Sequence, residues 1–235
     1  MPGYETRYAI VAGVAWIRWT RVGDVEDIWL ITFGEEPRAA KGPAGNNTIF
    51  RGELGGISWD LSAEDLARPL RSPHPLLRPV ASTQMDTQPA QLFSGRIGDH
   101  TVVRAPGHSA HLWGSRHAQS WGWTHATLSD GRWAHLLTAT VRGLPRVSQY
   151  ATSEDGPSLP FVRGTVTPPT IRVGPFAVTA EPATFIGLRY RDTDGSTIWC
   201  YHSERARLTG PGFDVDGAAM EIARREPIKG WRVAL

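Results

Sequence analysis

An all-β chain folded as two compact antiparallel barrels or half-barrels, packed together, is the architecture this sequence predicts. Three observations carry that reading. Apolar residues alternate with polar ones in short runs, the period of half-buried strands rather than helices. Glycine (25) and proline (18) punctuate the 235 residues throughout. The runs leave room for roughly 14–17 strands of ordinary length, more than one eight-stranded barrel uses.

The elements follow in order. A first hairpin joins Tyr8–Arg21 to Glu26–Phe33 through Gly23-Asp24. A two-residue loop there pairs Val22 with Val25, and so sets Arg21 opposite Glu26, Trp19 opposite Ile28 and Ile17 opposite Leu30. Short strands follow near 48–52 and 57–61. Ser62 as N-cap with Asp65 three positions on predicts one short helix over Ala63–Ala67. Segment 68–89, with Pro69, Pro73, Pro75, Pro79 and Pro89, reads as a long ordered loop. Strands at 91–97 and 101–104 complete an N-terminal barrel over 1–105, leaving 106–235 for the C-terminal one.

In the second half, Asp130-Gly131 marks a hairpin between Gln119–Leu128 and Trp133–Val141. A type I′ turn at this dipeptide places Trp121, Trp123, His125 and Thr127 on one face with Ala134, Leu136, Thr138 and Thr140. Tyr150–Pro160 is irregular, and strands are expected at 161–167 and 176–179. A third hairpin, 184–192 with 197–203, turns at Asp194-Gly195 and sets Tyr190 opposite Trp199. Pro227 and Gly230 argue against a terminal helix and for two closing strands in 218–235.

Composition excludes several classes. Hydrophobic residues are 40% and charged ones 20%, enough for a sizeable core. A net charge of +2 gives no field for nucleic acid. The single cysteine, Cys200, rules out a disulfide framework and reads as a buried mid-strand thiol. No apolar run approaches the ~18–20 residues of a membrane span. Glu5 and Arg7 interrupt any signal-like start, so a soluble, cytoplasmic protein is expected. Neither a phosphate-cradling glycine loop nor a Gly-x-Ser-x-Gly elbow occurs, and no cofactor is expected.

The densest chemistry lies between His100 and His135. Six of the eight histidines fall there (His100, His108, His111, His117, His125, His135), interleaved with Trp113, Trp121, Trp123 and Trp133. Imidazoles move protons near neutral pH, and indoles shape apolar cavities while offering one N–H donor. The pattern points to a pocket for a hydrophobic small molecule. His117 or His111 is the candidate proton donor or anchor. Trp113, Trp121, Trp123, His125 and His108 are candidate lining, and Arg116 a candidate contact for an anionic or carbonyl end. A competing arrangement takes His108, His111 and His117 as three ligands of an open metal site on a cupin-like barrel. A third possibility is a carrier without chemistry.

Two stretches also carry a resemblance. Gly55-Gly56-Ile57-Ser58-Trp59-Asp60-Leu61 and the run Gly107–Trp123, ending Ser120-Trp121-Gly122-Trp123, resemble the superfamily of carotenoid 1,2-hydratase, tocopherol cyclase-like proteins and lipocalin-like Diels–Alderases. Ala118 and Gln119 stand where that superfamily often has Asp and His, leaving His117 as the shifted candidate. The resemblance implies two lipocalin-like (calycin) barrels, a structural role for Asp60, and an apolar pocket. It also implies cyclisation, isomerisation or hydration of an isoprenoid or polyketide, without a redox cofactor.

Overall fold

Alternation and turn residues organise the first half into an antiparallel meander in the computed structural model, which describes residues 3–34, 37–72, 82–141, 143 and 145–235. Its strands are β1 (Tyr4–Val11), β2 (Ala15–Val22), β3 (Val25–Thr32), β4 (Arg38–Pro43), β5 (Arg51–Leu54), β6 (Ile57–Asp65), β7 (Leu70–Ser72), β8 (Thr83–Ile97) and β9 (His100–Gly114). They pair in the order β4-β3-β2-β1-β9-β8-β6-β5, with β7 also on β8. The sheet curls until β4 and β5 touch, so the barrel is nearly closed.

The second sheet holds β10 (Ser120–Thr127), β11 (Trp133–Thr140), β12 (Val147–Thr152), β13 (Gly156–Pro157), β14 (Gly164–Thr167), β15 (Thr170–Val173), β16 (Phe176–Thr179), β17 (Ile186–Arg191), β18 (Thr197–Gly210) and β19 (Phe213–Arg224). Its order is β13-β12-β11-β10-β19-β18-β16-β15-β14, with β17 also on β18. The all-β, two-unit architecture is as expected. Residue 105 lies inside β9, just after a bulge at which Arg104 takes φ +46°, and the chain changes sheets between Gly114 and Ser120.

Apolar burial forms three principal cores. One fills the first barrel with Ala9, Val11, Ile17, Leu30, Trp59 and Phe93. Another fills the second with Leu136, Ile171, Phe176, Tyr201, Leu208 and Ile222. The third lies in the seam between the sheets, where Tyr8, Ile10, Trp16 and Trp29 of the first meet Trp123, Leu188, Tyr190 and Ile198 of the second. Successive side chains of a strand point to opposite faces. On β1 and β2, therefore, Ala9 and Ile17 enter the barrel while Tyr8, Trp16 and Arg18 enter the seam.

Register separates the three hairpins. The first pairs Val22 with Val25 and Trp19 with Ile28, as read from the sequence, with Gly23 at φ +61° opening a two-residue loop. The other two are displaced by one residue. Trp123 faces Leu137 and His125 faces His135, so the face shared with Trp121 and Trp123 is Trp133, His135, Leu137 and Ala139, not the even-numbered set. Likewise Tyr190 faces Ile198, and Arg189 faces Trp199. The cause is the same in both. Leu128 pairs with Arg132 and Asp192 with Ser196 across three-residue loops, with only Gly131 (φ +85°) and Gly195 (φ +81°) left-handed. Asp130 and Asp194 stay right-handed and accept the backbone N–H two residues on. That is a type I turn with a glycine bulge, not a type I′ turn.

Three further expectations change. No helix forms at 63–67, because Ala63, Glu64 and Asp65 extend β6 along Phe93, Leu92 and Gln91 of β8. Ser62 spends its hydroxyl on Ser94 O rather than on a cap. The loop expected over 68–89 contains β7 and the start of β8, and its residues 73–81 lie outside the described residues. At the C-terminus, β19 ends at Arg224 and Val233 bridges Gly187, close to the expected pair of closing strands.

Candidate functional site

A cavity of about 150 Å³ opens in the seam, between the sheets rather than inside either barrel. Tyr4, Tyr8, Trp16 and Arg18 line it from β1 and β2, Met85 and Leu112 from β8 and β9. Trp121, Trp123, Leu137 and Glu221 close it from the second sheet. Next to it lies a more polar hollow of about 530 Å³, bordered by Arg116, Gln119, Asp194, Ser196 and Arg225. His117 borders both.

His117 sits in the link between β9 and β10 and is 7% exposed. Its ring stacks on Tyr4 at 3.6 Å between centroids, and Trp121 lies parallel on it at 5.9 Å. Nδ1 lies 2.8 Å from Asp192 Oδ1, while Nε2 is buried without a partner among the described residues. Asp192 opens the third hairpin loop. It also accepts the Thr193 N–H at 2.8 Å, and Arg225 at 2.6 Å. Burial alone would raise the Asp192 pKa, but His117, the Thr193 N–H and Arg225 outweigh it and hold the carboxyl well below its ordinary range. Burial pushes the His117 pKa down, further than Asp192 raises it. The pair is therefore a carboxylate and a neutral imidazole. Nδ1–H donates to Asp192, which leaves the Nε2 lone pair as a base.

A second buried ionic group forms the cavity floor. Glu221 Oε2 accepts from His202 Nε2 at 2.9 Å and lies 3.6 Å from Arg18, while Oε1 accepts the Trp121 indole N–H. Burial would raise its pKa, yet His202, Arg18 and Trp121 outweigh it and lower it to about 2. The Arg18 guanidinium lies over the rings of Trp29 and Tyr190, at 5.4 and 5.1 Å. Cys200 is fully buried beside the Tyr190 hydroxyl, 3.7 Å away.

The structure sorts the expected site residues. His117, Trp121 and Trp123 border the cavity, and Arg116 borders the outer hollow. His125 shares the face of Trp121 and Trp123 but lies beyond the cavity, stacked on His108 at 3.8 Å. His111 is half-exposed and paired with Glu5 at 3.0 Å, beside Trp113. His108 and His111 stand three apart on β9, so they face opposite sides of the sheet and cannot converge with His117. Among the described residues no three His, Cys, Asp or Glu side chains are grouped to hold a metal. Asp60 makes an exposed cross-strand pair with Arg51, while its neighbour Trp59 is buried with its N–H on Thr48 O. Sequence reasoning missed Arg18, Glu221, Arg225 and the role of Asp192. A register that allowed for the glycine bulge would have placed Asp192 at the head of its loop.

These features define a class: all-β proteins in which two lipocalin-like units meet along a seam. Within it, the chain is similar in fold to a crystal structure from Nitrosomonas europaea whose protein carries the provisional name AttH. The TM-score is 0.53 at 12% identity, covering 94% of this chain and 90% of that one. In sequence it is similar to the uncharacterized proteins Rv0493c and MT0513 of two Mycobacterium tuberculosis strains, H37Rv and CDC 1551. Each is 28% identical over 213 residues, covering 75% of this chain and 64% of the relative. No protein-family profile matches the chain. No helix among the described residues is long and apolar enough to cross a membrane.

Proposed function

We propose that the seam cavity binds a hydrophobic small molecule of the isoprenoid or polyketide class, and that His117 serves there as the base of a proton transfer. The outcome is a cyclisation, an isomerisation or a hydration that needs no redox cofactor. One observation carries this reading: a buried imidazole at the boundary of an apolar and a polar hollow, tied at Nδ1 to an ionised carboxylate and unpartnered at Nε2. In the reaction, Nε2 takes a proton from the ligand or from a water beside it. Asp192, held by Arg225, stabilises the imidazolium until the proton is returned. Trp121, Trp123 and Trp16 fold the ligand into a reactive shape, a proximity effect, and their faces favour a developing cation. No serine or cysteine hydrogen-bonds to His117 among the described residues, so the base acts on the ligand directly.

A library of isoprenoid and polyketide-like compounds, screened by calorimetry and then followed by NMR for product, tests the proposal. Binding is expected in the wild-type protein, with turnover that His117→Ala lowers by about 10²–10⁴-fold while affinity changes less than about threefold. If ligands bind but none turns over, the protein is a carrier and the proton-transfer role falls.

A further inference from the structure

We infer that the ligand carries a hydrogen-bond-accepting oxygen of the carbonyl class, received inside the cavity by the indole N–H groups of Trp16 and Trp123. This rests on the reading of the seam as a ligand pocket and adds what the ligand must contain. The argument is a census of donors. Trp16 Nε1, Trp123 Nε1 and Arg18 Nε are buried, belong to residues that line the cavity, and find no acceptor among the described residues. The Tyr8 hydroxyl, on a ring that packs against both indoles, reaches among the described residues the weak acceptor Met85 Sδ, at 4.0 Å. The one carboxylate at the cavity among the described residues, Glu221, is committed to His202, Trp121 and Arg18.

Buried donors are nearly always paired, because an unpaired one forfeits its bond to water without replacement. Here three such donors, drawn from both sheets, belong to residues that line one apolar hollow. The rings of Trp16 and Trp123 are 5.6 Å apart and inclined at 53°, and Tyr8 packs against each at under 6 Å. A purely hydrocarbon ligand would leave every one of these donors unsatisfied. A ligand with one acceptor oxygen would satisfy two or more, and an oxygen that gains negative charge would do so most strongly beside Arg18. A ligand whose polar group is only a donor could meet the His117 Nε2 lone pair but would leave the indole N–H groups unsatisfied.

The test compares geranylacetone with the matched hydrocarbon in which CH2 replaces the carbonyl. Both are titrated into the ¹⁵N-labelled full chain, with affinity measured by calorimetry and the indole N–H resonances followed by NMR. The ketone is expected to bind at least tenfold tighter and to move the Trp16 and Trp123 indole signals downfield. Trp29 supplies an internal control. Its N–H is also buried and unpaired, but its ring does not border the cavity, so its signal is expected to stay. Trp16→Phe and Trp123→Phe assign the two resonances. Equal affinity for the two compounds, with the Trp16 and Trp123 signals unmoved, overturns this inference and leaves the pocket reading intact. Failure of both compounds to bind overturns both.

Discussion

His117 and the set His108, His125 and His135 lie in contrasting surroundings. At the cavity, His117 has an ionised partner, Asp192, and an aromatic neighbour on each side. Behind Trp123, His108, His125 and His135 have, among the described residues, only one another and neutral groups. His125 Nε2 donates to Pro89 O at 2.7 Å, which makes its Nδ1 the acceptor for His135 Nδ1–H at 3.3 Å. Protonating His125 would set two N–H groups face to face. Burial lowers all three pKa values, that of His135 to about 4, and the mutual charge of the rings lowers those of His108 and His125 further. A nearby permanent charge turns a buried imidazole into a usable base. Without one, the same side chain is packing with a fixed tautomer.

That contrast is easiest to attack at His117. His117→Ala is expected to lower turnover by about 10²–10⁴-fold, the usual contribution of general base catalysis. His111→Ala, at a half-exposed pair with Glu5, is expected to leave turnover unchanged. Equal losses in both would dissolve the distinction. Asp192→Asn should cost on the order of 10²-fold, since an amide cannot stabilise the imidazolium. It should also shift the pH profile. Activity requires neutral His117 and falls as pH drops through its pKa, which lies below the ordinary 6.5. Removing the carboxylate that raises this pKa moves the acid limb to still lower pH; a move to higher pH would contradict the assigned charges.

The interior group is expected to show itself in stability. A histidine whose folded pKa is depressed binds a proton more readily in the unfolded chain. Stability is therefore retained above the ordinary imidazole pKa and lost as pH falls from about 6.5 toward the folded value. For His135 that window runs down to about 4, with a slope approaching ~1.4 kcal/mol per pH unit. Denaturant melts of His135→Gln should be flatter between pH 6.5 and 4 than those of the wild type. An unchanged slope would mean that His135 is not held neutral.

The smallest effects concern the two glycine-bulge loops. Gly131→Ala and Gly195→Ala each force a left-handed alanine and should cost about 1 kcal/mol in melting experiments. Only the second loop carries Asp192, so only Gly195→Ala should also slow turnover. If both substitutions behave alike, the loop does not position the carboxylate.

The first hairpin shows how much was legible. A glycine with positive φ in a two-residue loop leaves one register, and opposite charges with matched apolar pairs agree with it. Asp-Gly in the other two hairpins permits two turn types that differ by one residue, and local sequence does not choose between them. That single step moved His135 beside His125 and put Asp192 at the head of its loop. The helix expected at 63–67 failed for a related reason: a valid cap signal lost to a long partner strand, because β8 extends far enough to pair through Gln91.

From residue order and chemistry alone come the strand-rich character, the division into two β units, the shared face of Trp121, Trp123 and His125, and the pair of alternatives His117 and His111 for proton transfer. These follow from periodicity and from the side chains present, which are properties of nearby residues. Which face of β1, β2 and β10 fills a barrel and which meets the other sheet was decided only by tertiary packing, as were the partners of His117 and Glu221. Both faces of those strands carry buried side chains, so alternation alone does not say which way they turn. Asp192, Arg225 and His117 are separated by 33 to 108 positions; the pairing of β17, β18 and β19 brings Arg225 to Asp192, and the link into β10 brings His117 to the same carboxylate.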